Sequence, residues 1–268
     1  MRQIEILRKL YRGRLQPQAP SELAELTGMQ EQLALSELKS SGITFLHDIV
    51  PAEITDAIRN KIDDLLNKVG AKDWQQVVEE VKVKEKRFGI NLGQEWLYWT
   101  DAFGSDRRII HSEKASELIS GFAFNEVLSN IGSAYLDKRI ELKFCMANRT
   151  QFKPENTGSG GGWHRDNNYR RGYKALLYLV DTDAMNGCFQ YLKKSSSIYH
   201  HLIKTPKPDK YQFTHEEIMH IVNGDESQIT NATGKAGTVI LFDTNGIHRG
   251  KPIEPEGSRY ALTNYYID

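Results

Sequence analysis

The second half of this chain is built from short apolar runs. Ile140–Phe152, Tyr173–Val180, Cys188–Leu192, Thr238–Phe242 and Arg259–Ile267 are each rich in β-branched and aromatic residues, with Gly, Asn, Asp and Ser punctuating the sequence between them. Such residues suit a pleated, half-buried surface, and their spacing predicts a sandwich, barrel or jelly roll rather than alternating βαβ units. One long interruption, 200–235, falls between late strands. Within it Thr214-His215-Glu216-Glu217 has the form of a capping box opening a short helix that stops near Gly224. An insert of this kind is a candidate lid or substrate wall.

Residues 1–139 read differently, as mostly helix. After Pro51, Ile54, Ile58, Ile62, Leu65 and Leu66 recur at three- and four-residue spacing with charges between them, up to Gly70. That pattern predicts an amphipathic helix burying one stripe, with Pro and Gly at the ends they favour. Ser21–Leu38 and Ser112–Leu136 are also expected to be helical, and Phe88–Phe103 to be strand and loop. A length of 268 residues accommodates all this in one domain, 1–268, whose helical part flanks a β core at 140–268.

Composition removes several functional classes. Lys plus Arg and Asp plus Glu both number 35, a formal net charge of zero, which argues against a general nucleic-acid binder. Hydrophobic content of 39% and a mean hydropathy of −0.54 describe an ordinary globule, with no apolar run of the roughly 18 residues a membrane span needs. Met1–Leu15 lacks the apolar stretch of a signal peptide. Cys145 and Cys188 are too few for a disulfide framework or a thiolate zinc site; reduced, buried thiols and a cytoplasmic address are expected.

The chemistry concentrates in Gly158-Ser159-Gly160-Gly161-Gly162-Trp163-His164-Arg165-Asp166. If Trp163–Asp166 is extended, His164 and Asp166 share a face and form two legs of a metal site. Fe(II) in oxygenases takes two His and one carboxylate, leaving positions open for cosubstrate and O₂. His248, in the turn-rich Asn245-Gly246-Ile247-His248-Arg249-Gly250 after a predicted strand, is the candidate third leg. Arg259, eleven residues further on, opens the last predicted strand. A bidentate cation is what the far carboxylate of 2-oxoglutarate requires once its other end chelates the metal.

His164-x-Asp166, His248 and Arg259 together resemble the phytanoyl-CoA dioxygenase (PhyH-like) family of Fe(II)/2-oxoglutarate oxygenases. The likeness extends to Tyr173–Asp181, Asn186–Tyr191 and Gly42–Leu46, so it covers roughly 40–268. It implies a double-stranded β-helix (jelly-roll, cupin-like) core with flanking helices. It also implies that 2-oxoglutarate and O₂ are consumed, succinate and CO₂ released, and an unactivated C–H hydroxylated; a retained Asp166 argues against the related halogenases, which carry Gly or Ala there. Two departures are notable: Lys194-Ser195-Ser196 stands where Gly-Ser-His is common, and Gly250 where some members place a hydroxyl that helps hold 2-oxoglutarate. Asn148 and Gln151 are candidates for holding the cosubstrate's other end.

The remaining residues have plainer readings. His47, His111, His200, His201, His215 and His220 are expected to be surface or satisfied core histidines, although His200-His201 could line the pocket. Trp163 is expected to pack in the core, on the face opposite His164. The glycines at 158–162 read as a hinge before the metal strand, because no Lys-Ser/Thr follows to make a phosphate loop. Arg165, Arg170, Arg171, Lys174, Lys193, Lys194, Lys204, Lys207 and Lys210 read as a solvated rim, or else as attraction for an anionic substrate. The substrate expected is a small polar metabolite. A cupin-like isomerase or a silent jelly-roll binding protein are the alternatives, though neither explains Arg259.

Overall fold

The computed structural model describes residues 28–47, 49–69, 96–101, 104–154, 156, 158–159, 161–166, 171–197, 199–205 and 210–267. Met1–Leu15, the start of the helix expected from Ser21, and most of Phe88–Phe103 lie outside these residues.

Two antiparallel sheets face each other. In chain order the elements are α1 (Met29–Ser41), β1 (Ile43–Leu46), α2 (Ala52–Val69), β2 (Leu97–Thr100), β3 (Asp106–Ile110), α3 (Glu117–Ala123), α4 (Glu126–Leu136) and β4 (Glu141–Gln151). There follow β5 (Trp163–His164), β6 (Tyr173–Tyr178), β7 (Phe189–Leu192), a π-helical turn (His200–Lys204), β8 (Gln212–Phe213) and α5 (His215–Ile221). The chain closes with β9 (Ile229–Ala232), β10 (Val239–Asp243), β11 (His248–Gly250) and β12 (Ser258–Ile267). The major sheet runs β1-β10-β6-β12-β4-β3-β2 and the minor sheet β8-β5-β11-β7-β9. This is the expected jelly-roll core with helices laid on one side.

Strand alternation divides the apolar residues between the two sides of the major sheet. Val239 and Leu241 of β10, Ala175 and Leu177 of β6, and Cys145 and Ala147 of β4 pack against the helices with Ile58, Ile62 and Leu66 of α2. Ile240, Phe242 and Tyr178 turn the other way and meet Phe189 and Tyr191 of the minor sheet. Strands buried on both faces therefore read as unbroken apolar runs, which is why they were legible. A third cluster seats α5 under the minor sheet, where Ile218 and Ile221 pack on Trp163 and Phe213; Trp163 is core, as expected. Cys145 and Cys188 are both free and buried.

Several expectations need correction. Within the first 139 residues β1 and β2 fall where Gly42–Leu46 and Phe88–Phe103 were expected to be extended, but β3 was not expected; all three join the major sheet. Strand β3 escaped notice because Asp106 and Arg108 share a face turned to a polar cavity rather than to apolar core. Ser112–Leu136 is two helices and a short 3₁₀ turn, not one helix; Asn125 breaks it and caps α4 by accepting from Leu128 N. In α2 the predicted stripe holds except at Ile54, which is 36% exposed. The 200–235 insert contains α5, with Thr214 and Glu217 forming the predicted capping box, yet it also supplies β8 and β9 to the minor sheet.

Candidate metal centre

His164 and His248 come together through register. They lie directly opposite each other on the antiparallel pair β5–β11, where facing side chains approach closely. Their rings are 4.5 Å apart between centroids. Each Nδ1 lies against the carbonyl two residues earlier, Gly162 O at 2.8 Å and Gly246 O at 2.9 Å. A carbonyl only accepts, so each Nδ1 carries a proton, and Nε2 is the ring nitrogen left facing the other two residues. The strand ends at His164 and the chain bends at Asp166, but cross-strand hydrogen bonding continues: Arg165 N donates to Tyr211 O and Asp166 N to Thr244 O. Held in this way, Asp166 stands beside His164.

Asp166 uses its two oxygens differently. Oδ1 lies 3.5 Å from His164 Nε2 and 3.9 Å from His248 Nε2, while Oδ2 takes the Lys174 ammonium at 2.6 Å. One ligand atom from each of the three residues falls within 4.8 Å of the others. Two imidazoles and a carboxylate with one oxygen already engaged make a three-point donor set, which suits a non-haem iron. Electrostatics favour the ligating forms. Burial would raise the Asp166 carboxyl, but Lys174, His164 and His248 outweigh it and hold it well below the usual carboxylate range. Burial, with His164 alongside, pushes His248 down to about 3.

The centre lines a cavity of about 150 Å³ between the sheets. The same cavity is lined by Arg259, buried and donating to Gly187 O, and by Arg108, Ser159 and Asn148. Asn148 faces inward, but Gln151 is exposed at the end of β4, paired with Ser258, and is not among the lining residues. The reason is elementary: an offset of three residues on a strand places the two side chains on opposite faces. His200 and His201 do not line the cavity either. They are buried around Arg165, which also donates to the carbonyls of Ser195 and Asn245.

The basic rim was misread at two positions. Arg165 is 2% exposed and ties the strand of His164 to the insert. Lys174 is a wall of the site, its ammonium 3.8 Å from the Tyr265 ring centroid. A lone lysine inside Tyr173–Tyr178, a strand otherwise apolar on both faces, was the signal that could have singled it out. Arg170 and Lys207 lie outside the described residues. Lys174→Met is expected to weaken Fe(II) binding by roughly 10–100-fold, the usual cost of an outer-shell partner, as measured by competition with a chelator. An unchanged affinity would show that Lys174 does not govern Asp166.

The turn before His248 is equally constrained. A Cβ at Gly246 would collide with the Tyr191 hydroxyl, and the Tyr191 ring lies nearly parallel to the His248 imidazole. Gly246→Ala is therefore expected to cost about 1–3 kcal/mol of stability through overpacking and to loosen metal binding, by thermal melts with and without Fe(II).

The sequence profile of the phytanoyl-CoA dioxygenase (PhyH) family matches residues 38–261. The chain belongs to that family. Its class is therefore that of the 2-oxoglutarate-dependent non-haem iron oxygenases, with iron and 2-oxoglutarate as cofactors. No curated protein matches the sequence. Solved structures share the fold at low identity. EctD from S. alaskensis with bound Fe is 18% identical, with a TM-score of 0.62 over 92% of this chain and 80% of that one. HygX from Streptomyces hygroscopicus, solved with nickel, 2-oxoglutarate and hygromycin B, is 14% identical with a TM-score of 0.57 over 88% and 86%. The epimerase SnoN, with Fe3+, alpha ketoglutarate and nogalamycin RO, is 12% identical with a TM-score of 0.58 over 89% and 83%.

Proposed function

We propose that this PhyH-family enzyme hydroxylates an unactivated C–H of a small polar metabolite, releasing succinate and CO₂. His164, Asp166 and His248 would hold the iron, and Arg259 the far carboxylate of 2-oxoglutarate. The observation that carries the reading is the convergence of the three donor atoms on one side of a cavity that also contains a buried arginine. The metal, when bound, supplies the activation of O₂ that no side chain can. The protein's contributions are distinct. The Gly162 and Gly246 carbonyls fix the imidazole tautomers, Lys174 assigns the Asp166 oxygens, and Phe189, Phe242 and Leu176 give the cavity an apolar side that keeps water from the reacting carbon.

An anionic substrate is favoured by charge. Arg108, Lys174 and Arg259 stand around the cavity, against the carboxylates of Asp166 and Asp106, the latter paired with Arg108 at 2.6 Å. A divalent metal and a dianionic cosubstrate cancel each other, so the loaded site retains one positive charge. Solved relatives hold hygromycin B and nogalamycin RO, which supports a small-molecule substrate. We read 1–268 as a single domain acting in the cytoplasm. Cyclisation, desaturation or epimerisation are variants of the same chemistry, and SnoN, an epimerase, favours keeping the last in view. The deciding experiment loads the protein anaerobically with Fe(II) and 2-oxoglutarate, admits O₂ and measures succinate. No succinate, together with no binding of Fe(II) or 2-oxoglutarate, would leave the isomerase or silent-binder readings.

A further inference from the structure

Between the ligand positions His164 and Asp166 the chain buries a cation that touches no carboxylate. Among the described residues, every acceptor that the Arg165 guanidinium reaches is uncharged. Nη1 donates to Ser195 O at 2.6 Å, to His201 Nε2 at 2.7 Å and to Asn245 O. Nη2 lies 3.4 Å from both His200 Nδ1 and Thr205 Oγ1. A guanidinium only donates, so His201 Nε2 accepts and the proton of that ring sits on Nδ1. Burying such a charge without a counter-charge is costly, and an apolar side chain of similar volume often serves stability as well. The use of the charge lies in where its bonds go.

They go to both halves of the metal site. Asn245 O belongs to the turn leading into His248, three residues further on. Ser195 grips the same turn, its Oγ accepting from Ile247 N at 2.7 Å while its carbonyl takes the guanidinium. Arg165 is itself the residue between His164 and Asp166, so one side chain bonds the segment of the third ligand to the segment of the first two. The backbone gives little help here. The ladder of β5 on β11 is one residue pair, His164 opposite His248, extended by Asp166 N donating to Thr244 O. A ladder this short specifies register weakly. The far side of the guanidinium is met by the insert, whose π-helical turn is closed by Thr205 N donating to His200 O at 3.0 Å; turns of this kind recur at functional sites.

We propose that Arg165 is a positioning residue of the metal centre, holding the His248 turn in register with the strand of His164 and Asp166, and that the insert sets its guanidinium through His200, His201 and Thr205. This rests on the reading that His164, Asp166 and His248 hold the iron. Arginine is needed for its planar fork, which spans the two carbonyls and the insert at once; a single ammonium does not.

Cobalt(II) is the probe, because its visible bands follow coordination geometry. His201→Leu removes an acceptor of Nη1 without touching the three ligands. It is expected to shift the bands of the Co(II)-loaded protein and to weaken Fe(II) binding, by chelator competition, about tenfold, the lower end of what an outer-shell partner is worth. His201→Gln, whose amide oxygen can stand in for Nε2, is expected to restore both. Arg165→Met is expected to show the same spectral change and a loss of roughly 10–100-fold. Adding His201→Leu to it should cost nothing more, since the two act through one contact. Melting temperatures of the metal-free proteins are measured alongside, because a merely structural role would lower them and leave the bands of the folded protein unmoved. Wild-type bands and Fe(II) affinity in folded His201→Leu overturn the proposal, as does a double variant whose losses add. Should Arg165→Met not fold, the His201 variants decide alone. Wild-type protein that binds neither Fe(II) nor Co(II) instead overturns the parent reading, so the two failures are told apart.

Discussion

Asp166→Ala protein is expected to keep its fold and lose 2-oxoglutarate turnover to below roughly a hundredth of wild type. Removing an outer-shell partner costs roughly 10–100-fold, and Asp166 is placed to be a ligand itself. The substitution has a second effect, because Lys174 Nζ, 2.6 Å from Asp166 Oδ2, loses its counter-charge in a buried wall. The melting temperature should therefore drop in Asp166→Ala and recover in Asp166→Ala with Lys174→Met, while turnover and Fe(II) binding stay lost in both. Full activity in Asp166→Ala would mean that another carboxylate serves the metal.

Arg259→Ala is expected to raise the 2-oxoglutarate requirement with little change in Fe(II) affinity. Truncating one partner of a buried, hydrogen-bonded charge pair costs about 2–5 kcal/mol, or roughly thirtyfold and more in binding. The rate at saturating 2-oxoglutarate should fall far less than the affinity, which steady-state kinetics over a wide cosubstrate range will separate. Arg259→Lys should rescue little, since an ammonium cannot present the guanidinium fork to a carboxylate. An unchanged KM for 2-oxoglutarate would remove Arg259 from the seat.

Much of this architecture was readable because its physics is local. Strands such as Val239–Asp243 announce themselves by residues that fill both faces, and Thr214 with Glu217 announces α5 by mutual capping. His164 and Asp166 followed from two-residue spacing alone. What could not be read was register. That His248 stands opposite His164 depends on how distant strands slide past each other, and only the glycine turn hinted at it. Lys174 and Arg165 were taken for rim charges because a sequence shows a charge but not the partner that buries it. The inclusion of Gln151 beside Asn148 was avoidable: their odd spacing forbids a common face on β4.

The strand carrying His164 is only two residues long, and it is held on one side by β11 and on the other by β8 of the insert. Trp163 also rests on α5 of that insert, and Arg165 is gripped by its His200 and His201. None of the insert's described residues lines the cavity, so their part is to support the strand that carries His164. A lineage that remodels this segment therefore alters the setting of His164 even though the cavity lining itself is untouched. Transplanting it between relatives should therefore fail more often through loss of iron than through loss of recognition, unless residues 163–166 travel with it.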